Sequence, residues 1–146
     1  MNPSTMEELE TQAPKLKTIL YVDDDPYMRL IVNVVLSGIA GIAVHTCSSG
    51  RVAVLDANRI VPDLLLLDVR MPEMDGPSTL LALRQLRNTA STPALFITGT
   101  PEDLQPGFCE QAGALGVITK PIDPLRFGAQ LQAIWDGGAS APAPAP

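Results

Sequence analysis

Cysteine, histidine, basic charge and long apolar runs are all scarce in this chain, and each scarcity excludes something. Its two cysteines, Cys47 and Cys109, have neither metal nor redox spacing. Nothing marks the chain as secreted, so no structural disulfide is expected. Histidine occurs once, as His45 in an expected strand, and no second feature supports a phosphodonor role for it. Ten Lys and Arg stand against sixteen Asp and Glu, for a net charge of -6, and the basic residues are scattered. Without a basic stripe, direct nucleic-acid binding by this chain is not expected, because phosphate backbones demand clustered Lys and Arg. No apolar stretch reaches the roughly 18 residues that span a bilayer, so no membrane partner is expected. The leader carries Glu7, Glu8 and Glu10 without an apolar core, unlike a signal peptide. A cytoplasmic location is the resulting expectation.

What is present fits one domain. Hydrophobic residues make up 46% of the 146 positions and charged residues 18%, ordinary for an α/β domain. A polar leader over 1–17 and an Ala/Pro-rich tail over 138–146 flank an expected folded unit at 18–137. Met6, Leu9 and Leu16 give the leader at best a marginal helix, and alternating Ala-Pro gives the tail an extended, spacer-like character. A unit of about 120 residues buries around two thirds of its unfolded surface and needs no staples.

Inside that unit, short apolar runs alternate with helical patterns. Runs at 19–22, 42–47, 63–68, 93–98 and 116–119 read as strands, the most apolar of them covered on both faces. Asp25-Pro26 predicts a helix start, followed by Met28, Ile31, Val32, Val35 and Leu36 up to Gly38. Ser49 caps a second helix to about Asn58, expected to bury Val52, Val54 and Leu55. A third carries Leu80, Leu81, Leu83 and Leu86. Pro106-Gly107 would break a long fourth helix, so a short one is predicted from about Pro106 to Ala112, with Gly113 as its C-cap. Asp123-Pro124 starts the last, whose stripe of Phe127, Leu131, Ile134 and Trp135 ends at Gly137 and packs Trp135 on the sheet. Five strands alternating with five helices imply parallel pairing by right-handed crossovers, hence a three-layer αβα sandwich.

Four strand ends then carry chemistry. Asp23, Asp24 and Asp25 end the first strand, Asp68 the third, Thr98 the fourth and Lys120 the fifth. In an open parallel sheet, ligands sit outside the carboxyl ends of the strands, so these side chains can share one crevice. Clustered carboxylates repel by roughly 4 kcal/mol per pair at about 4 Å and an effective dielectric of about 20. Such a cluster raises pKa values or recruits a cation. Oxygen-only donors point to Mg²⁺, which keeps several waters and accepts carboxylate and phosphate oxygens. Lys120 supplies the opposite charge, at a Lys-Pro step that can take a cis peptide. The Thr98 hydroxyl, beside Gly99, can donate to a phosphoryl oxygen. Taken singly, Asp68 could be a turn acid, Lys120 a surface lysine and Thr98 a plain strand residue. Glu73 and Asp75 follow in the loop, where Asp75 suits the turn into the next helix better than a metal.

Combined, Val22-Asp23-Asp24-Asp25-Pro26, Leu67-Asp68-Val69-Arg70-Met71-Pro72-Glu73-Met74-Asp75-Gly76, Ile97-Thr98-Gly99 and Thr119-Lys120-Pro121 resemble the receiver domains of two-component response regulators. The resemblance covers about 18–136. It implies a flavodoxin-like sheet of order 2-1-3-4-5 and a phosphoprotein switch. Asp68 would accept a phosphoryl group from the phosphohistidine of a histidine kinase or phosphotransfer protein. Asp24 and Asp68 would bind Mg²⁺ directly, Asp23 largely through water, and the main-chain carbonyl of Arg70 would complete the site. Thr98 and Lys120 would hold phosphoryl oxygens. The output would be contact with a downstream protein or effector domain. The only catalysis implied is transfer to its own Asp68 and slow autodephosphorylation.

Three departures bear on output. Val117 stands where the family often has Tyr or Phe, which argues against an aromatic relay. Pro106-Gly107 alters the signalling helix, and Ile122 stands where Phe is common. Two other readings exist. A degenerate receiver would be a constitutive binding surface, which the intact Asp23, Asp24, Asp68, Thr98 and Lys120 disfavour. A haloacid-dehalogenase-type phosphatase would need an acid two positions after the nucleophile, where this chain has Arg70.

Overall fold

A computed structural model describes residues 15–140. The leader expectations for Met6 and Leu9, and the Ala-Pro repeat from Ala141 onward, lie outside those residues. The described chain forms one five-stranded parallel sheet with helices on both faces. Its strands are β1 (Thr18–Val22), β2 (Ala43–Cys47), β3 (Leu64–Asp68), β4 (Ala94–Thr98) and β5 (Gly116–Thr119). Their order is β2-β1-β3-β4-β5, as the resemblance implies. Between them run α1 (Pro26–Val34, continued by a π-helical turn, Val35–Ile39), α2 (Gly50–Asp56), α3 (Gly76–Leu83), α4 (Phe108–Ala112) and α5 (Phe127–Ser140).

The period of two in the strands sorts the core into two layers. Ile19, Tyr21, Leu64, Leu66, Leu95 and Ile97 pack with Val32, Val35, Leu36, Phe127, Leu131 and Trp135 on the α1/α5 face. Leu20, Val22, Leu65, Leu67 and Phe96 pack with Ala53, Ala57, Leu80 and Leu83 on the other. Every residue of β3 and β4 is buried, which is why both read as unbroken apolar runs. At the amino ends, the Asp63 carboxylate accepts from the Lys17 and Thr18 amides, each at 3.0 Å. Trp135 Nε1 donates to the Asp63 carbonyl at 3.1 Å, pinning α5 beneath the sheet as expected.

The caps form as the sequence specifies: Asp25 accepts from the Tyr27 amide, Ser49 from Val52 and Asp75 from Ser78. Gly113 closes α4 in the left-handed region at φ 76°. Gly107 precedes α4 at φ 80°, and Pro101–Asp103 forms a separate 3₁₀ turn, so the proline splits the segment as predicted.

Four helix expectations need correction. The first helix is not α-helical to Gly38, because its last turn widens into the π form and Ala40 N reaches back to the Val35 carbonyl. In α2, Leu55 is 63% exposed, while Ala53 and Ala57 are buried and Val52 and Val54 partly so. Small residues let α2 lie close to α3, and an added Cβ on Gly50 would come within 2.1 Å of the Thr79 hydroxyl. In α3, where no inward face is assigned from sequence, Leu80 and Leu83 go in and Leu81 faces out, 67% exposed. Asp123 does not start α5: it folds a turn, its carboxylate accepting from Leu125 N and its carbonyl from Phe127 N, before helix begins at Phe127. That helix also passes Gly137 and runs to Ser140, because no glycine there takes the left-handed conformation that would end it.

Candidate functional site

At the carboxyl edge of the sheet, β1, β3 and β5 bring Asp23, Asp24, Asp68 and Lys120 together. Asp23, Asp24 and Asp68 each offer a carboxylate oxygen within 4.8 Å of the others. Asp23 and Asp68 are buried while Asp24 faces solvent, so the cluster has a dry floor and an open rim. Lys120 Nζ enters from β5, at 3.1 Å from Asp23 Oδ2 and 3.4 Å from Asp68 Oδ1. The Lys120–Pro121 peptide is cis.

Asp23 is fixed from every side. Tyr21, two residues earlier on the same strand face, donates its hydroxyl to Asp23 Oδ2 at 2.5 Å. The Asp25 amide donates to Oδ1 at 2.9 Å, and Arg29 Nη1 donates to the Asp23 carbonyl at 2.7 Å. Burial, then the adjacent Asp23 carboxylate, drives the Tyr21 phenol far above its usual range, so it remains a donor. The sequence reading overlooked both supports. Tyr21 carried a signal, since alternation puts it on the face of Asp23; Arg29 carried none, because its role depends on where α1 lies.

Asp68 sits in the tightest part of the site. Its strand continues into Val69, whose amide donates to the Ile97 carbonyl at 3.0 Å and whose carbonyl accepts from Gly76 N at 2.9 Å. Burial, then the charge of Asp23, pushes the Asp68 carboxyl up to about 7, with Lys120 pulling against both. Burial opposes the Lys120 charge, but Asp23 and Asp68 outweigh it and hold its pKa above the ordinary lysine value.

The elevated Asp68 pKa has a thermodynamic sign. The folded protein keeps a proton there that the unfolded chain releases near pH 4, so this contribution is complete below about pH 4 and disappears as pH rises through about 7. Asp68→Asn is therefore expected to stabilise the metal-free protein at pH 8, raising Tm by roughly 3–6 °C. That corresponds to about 1–2 kcal/mol in a domain of this size, discounted because water still reaches the rim. At pH 5 the gain should shrink towards zero. Melting curves at the two pH values check this, and an equal gain at both would refute the assignment of the charge strain to Asp68.

Thr98 ends β4, buried, and its carbonyl accepts from Lys120 N at 2.8 Å. Its hydroxyl oxygen accepts from the Thr100 amide at 3.1 Å and lies 3.5 Å from the Thr100 hydroxyl. Its backbone thus joins the strand bearing Lys120, while its hydroxyl is engaged with the following loop. The Arg70 side chain leaves the acids and ion-pairs with Asp103. Asp75 caps α3, and Glu73 takes a left-handed turn at φ 67°. Val117 lies opposite Phe96 in the sheet, and Phe96 packs on Phe108 of α4 with centroids 5.0 Å apart. The aromatic on this flank therefore comes from a helix.

The donor set fits a hard divalent cation: three carboxylates, two of them on rigid strand ends, with an open side for water. His45 stays outside this site, half-exposed on β2 and 2.8 Å from Asp56.

Residues 19–132 match the response regulator receiver domain family. Among solved structures, chemotaxis protein CheY4 of Vibrio cholerae aligns with TM-score 0.73 and 30% identity, covering 82% of this chain and 98% of that one. The receiver domain of sensor histidine kinase PA1611 from Pseudomonas aeruginosa aligns with TM-score 0.70 and 30% identity, covering 83% and 98%. That structure holds a magnesium ion in its active site cleft. The DNA-binding dual master transcriptional regulator RpaA of Synechocystis is 34% identical over 118 residues, which are 80% of this chain and 48% of RpaA. The chain spans less than half the length of most curated relatives it matches.

Proposed function

The chain belongs to the response regulator receiver domain family, and from that premise we propose that Asp68 is its phosphoacceptor, served by Lys120, Thr98 and a magnesium ion held by Asp23, Asp24, Asp68 and the Arg70 carbonyl. The observation that carries the reading is the convergence of Asp23, Asp68 and Lys120 within 3.1–3.4 Å contacts at the sheet edge. An Asp68 oxygen forms the new bond to phosphorus as the phosphorus–nitrogen bond of a phosphohistidine donor breaks, and the imidazole leaves with the bonding pair. Mg²⁺, when bound, would offset charge on the phosphoryl oxygens as the carboxylate approaches. Lys120, already between Asp23 and Asp68, swings its ammonium onto one of those oxygens. Phosphoryl transfer depends mostly on positioning and charge stabilisation, which rigid strand ends supply.

The added charge then gives the Thr98 hydroxyl proton a stronger acceptor than the Thr100 hydroxyl 3.5 Å away. An inward turn of the Thr98 hydroxyl would give up its bond from the Thr100 amide and release that loop. Partner classes follow the family: a histidine kinase or phosphotransfer protein upstream and a protein partner or effector domain downstream. Tyr27, Leu30 and Val34 form an exposed apolar row along α1, beside the acidic rim, 59–67% exposed. Such a row suits protein contact. No helix among the described residues is long and apolar enough to cross a membrane. The proposed receiver unit is 18–137, with 1–17 and 138–146 as flanking segments.

Incubation with acetyl phosphate and Mg²⁺ is expected to add one phosphoryl group per chain, read by intact-protein mass spectrometry. Chelating the metal should slow labelling about a hundredfold, equivalent to about 3 kcal/mol of lost charge stabilisation. Labelling at an unchanged rate in chelator would remove the metal from the mechanism.

A further inference from the structure

Edge strand β2 carries a second constellation, on chemistry unlike that of the acidic pocket. His45 and Cys47 are two residues apart, so they project from the same face of the strand. Asp56, in the last turn of α2, reaches across to both. His45 Nε2 lies 2.8 Å from Asp56 Oδ2, and Cys47 Sγ lies 3.7 Å from the same oxygen. One imidazole nitrogen, one sulfur and one carboxylate oxygen thus fall within 4.8 Å of one another. We propose that His45, Cys47 and Asp56 form a metal site for a borderline divalent ion of the Zn²⁺ type, clamping β2 to α2.

The separations suit such an ion. Around a tetrahedral centre with bonds of about 2.0–2.3 Å, neighbouring donors stand roughly 3.3–3.7 Å apart. Small adjustments of the half-exposed His45 ring open its contact to that value. Three protein ligands and one solvent position form an open site, and the 39% exposure of the His45 side chain provides the solvent side. Asp56 needs only Oδ2 for the ion, because Arg59 Nη2 holds Oδ1 at 2.9 Å, an outer contact that orients the carboxylate. The imidazole and thiolate select a softer ion than the oxygen-only acidic pocket does. Charge balances as well: neutral imidazole, thiolate and carboxylate offset two positive charges. Burial, then Asp56, pushes the Cys47 thiol up to about 12, so the metal–sulfur bond forms as that proton passes to solvent. The site is also wired to its neighbour, since the Cys47 carbonyl accepts from Asp23 N at 3.1 Å.

Co²⁺ titration of the full chain in excess Mg²⁺ tests the proposal. One Co²⁺ per chain should give a thiolate-to-cobalt charge-transfer band in the near ultraviolet with intense tetrahedral visible bands. Cys47→Ala should abolish the charge-transfer band, while Cys109→Ala and Asp68→Asn leave it. His45→Gln, at a half-exposed position where folding is not at risk, should weaken Co²⁺ binding at least the roughly tenfold that even outer-layer partners cost. Absence of the band in the unaltered chain would overturn the proposal. So would a band lost in Cys109→Ala or Asp68→Asn, or Co²⁺ affinity unchanged in His45→Gln.

Discussion

Asp68→Asn is expected to lose phosphoryl incorporation from acetyl phosphate entirely while remaining folded and, at pH 8, melting higher than the unaltered protein. Few substitutions separate function from stability so cleanly. The amide keeps the shape of the carboxylate, so β3 packing survives, and removing one negative charge relieves its repulsion with Asp23. Lys120 keeps its 3.1 Å contact with Asp23. The amide oxygen is too weak a nucleophile to attack phosphorus, so labelling falls to background. Mass spectrometry of both proteins under identical labelling checks this. Incorporation at the unaltered level in the variant would place the acceptor elsewhere and remove the proposed mechanism.

Gly76→Ala should produce the second large effect, this time on fold and site together. A Cβ at Gly76 would stand 2.4 Å from the Asp68 carbonyl oxygen and 3.0 Å from Val69 Cα. Both obstacles are backbone, and the same turn holds the Gly76 N to Val69 O hydrogen bond at 2.9 Å. No rotamer change can clear it. Either α3 shifts outward or the end of β3 moves, and overpacking of this kind costs about 3 kcal/mol. In a domain of this size that lowers Tm by roughly 10 °C. Because the Asp68 carbonyl that the added Cβ would displace belongs to the proposed acceptor residue, labelling should also slow by at least tenfold at temperatures where the variant stays folded. A variant with unchanged Tm and labelling rate would show that the Gly76–Asp68 contact is not tight.

Why some of this was visible in advance follows from which contacts are local. β3 and β4 announced themselves because both faces are covered and every position had to be apolar. The acids, Thr98 and Lys120 stood out because each follows directly on such a run, and a parallel sheet places all those ends on one edge. Leu55 is not buried, against expectation, because a short helix carries too few turns to fix which apolar residue faces inward; close approach at Gly50, Ala53 and Ala57 decides it. The ends of α5 were misplaced because a cap is a matter of backbone conformation: Asp123 folded a turn, and Gly137 declined the left-handed form. Arg29 and the His45–Asp56 pair were hidden entirely, since partners six and eleven residues apart meet only through the relative placement of helix and strand.

Trp135 is the chain's single tryptophan, and its indole is tied to the Asp63 carbonyl at the amino end of β3. Asp68 lies at the other end of that strand, about 16 Å away by strand rise. Intrinsic fluorescence should accordingly be a poor witness to events in the acidic pocket and a good one to any loosening of the terminal helix. Emission watched during signalling would report whether the message travels the full length of the sheet.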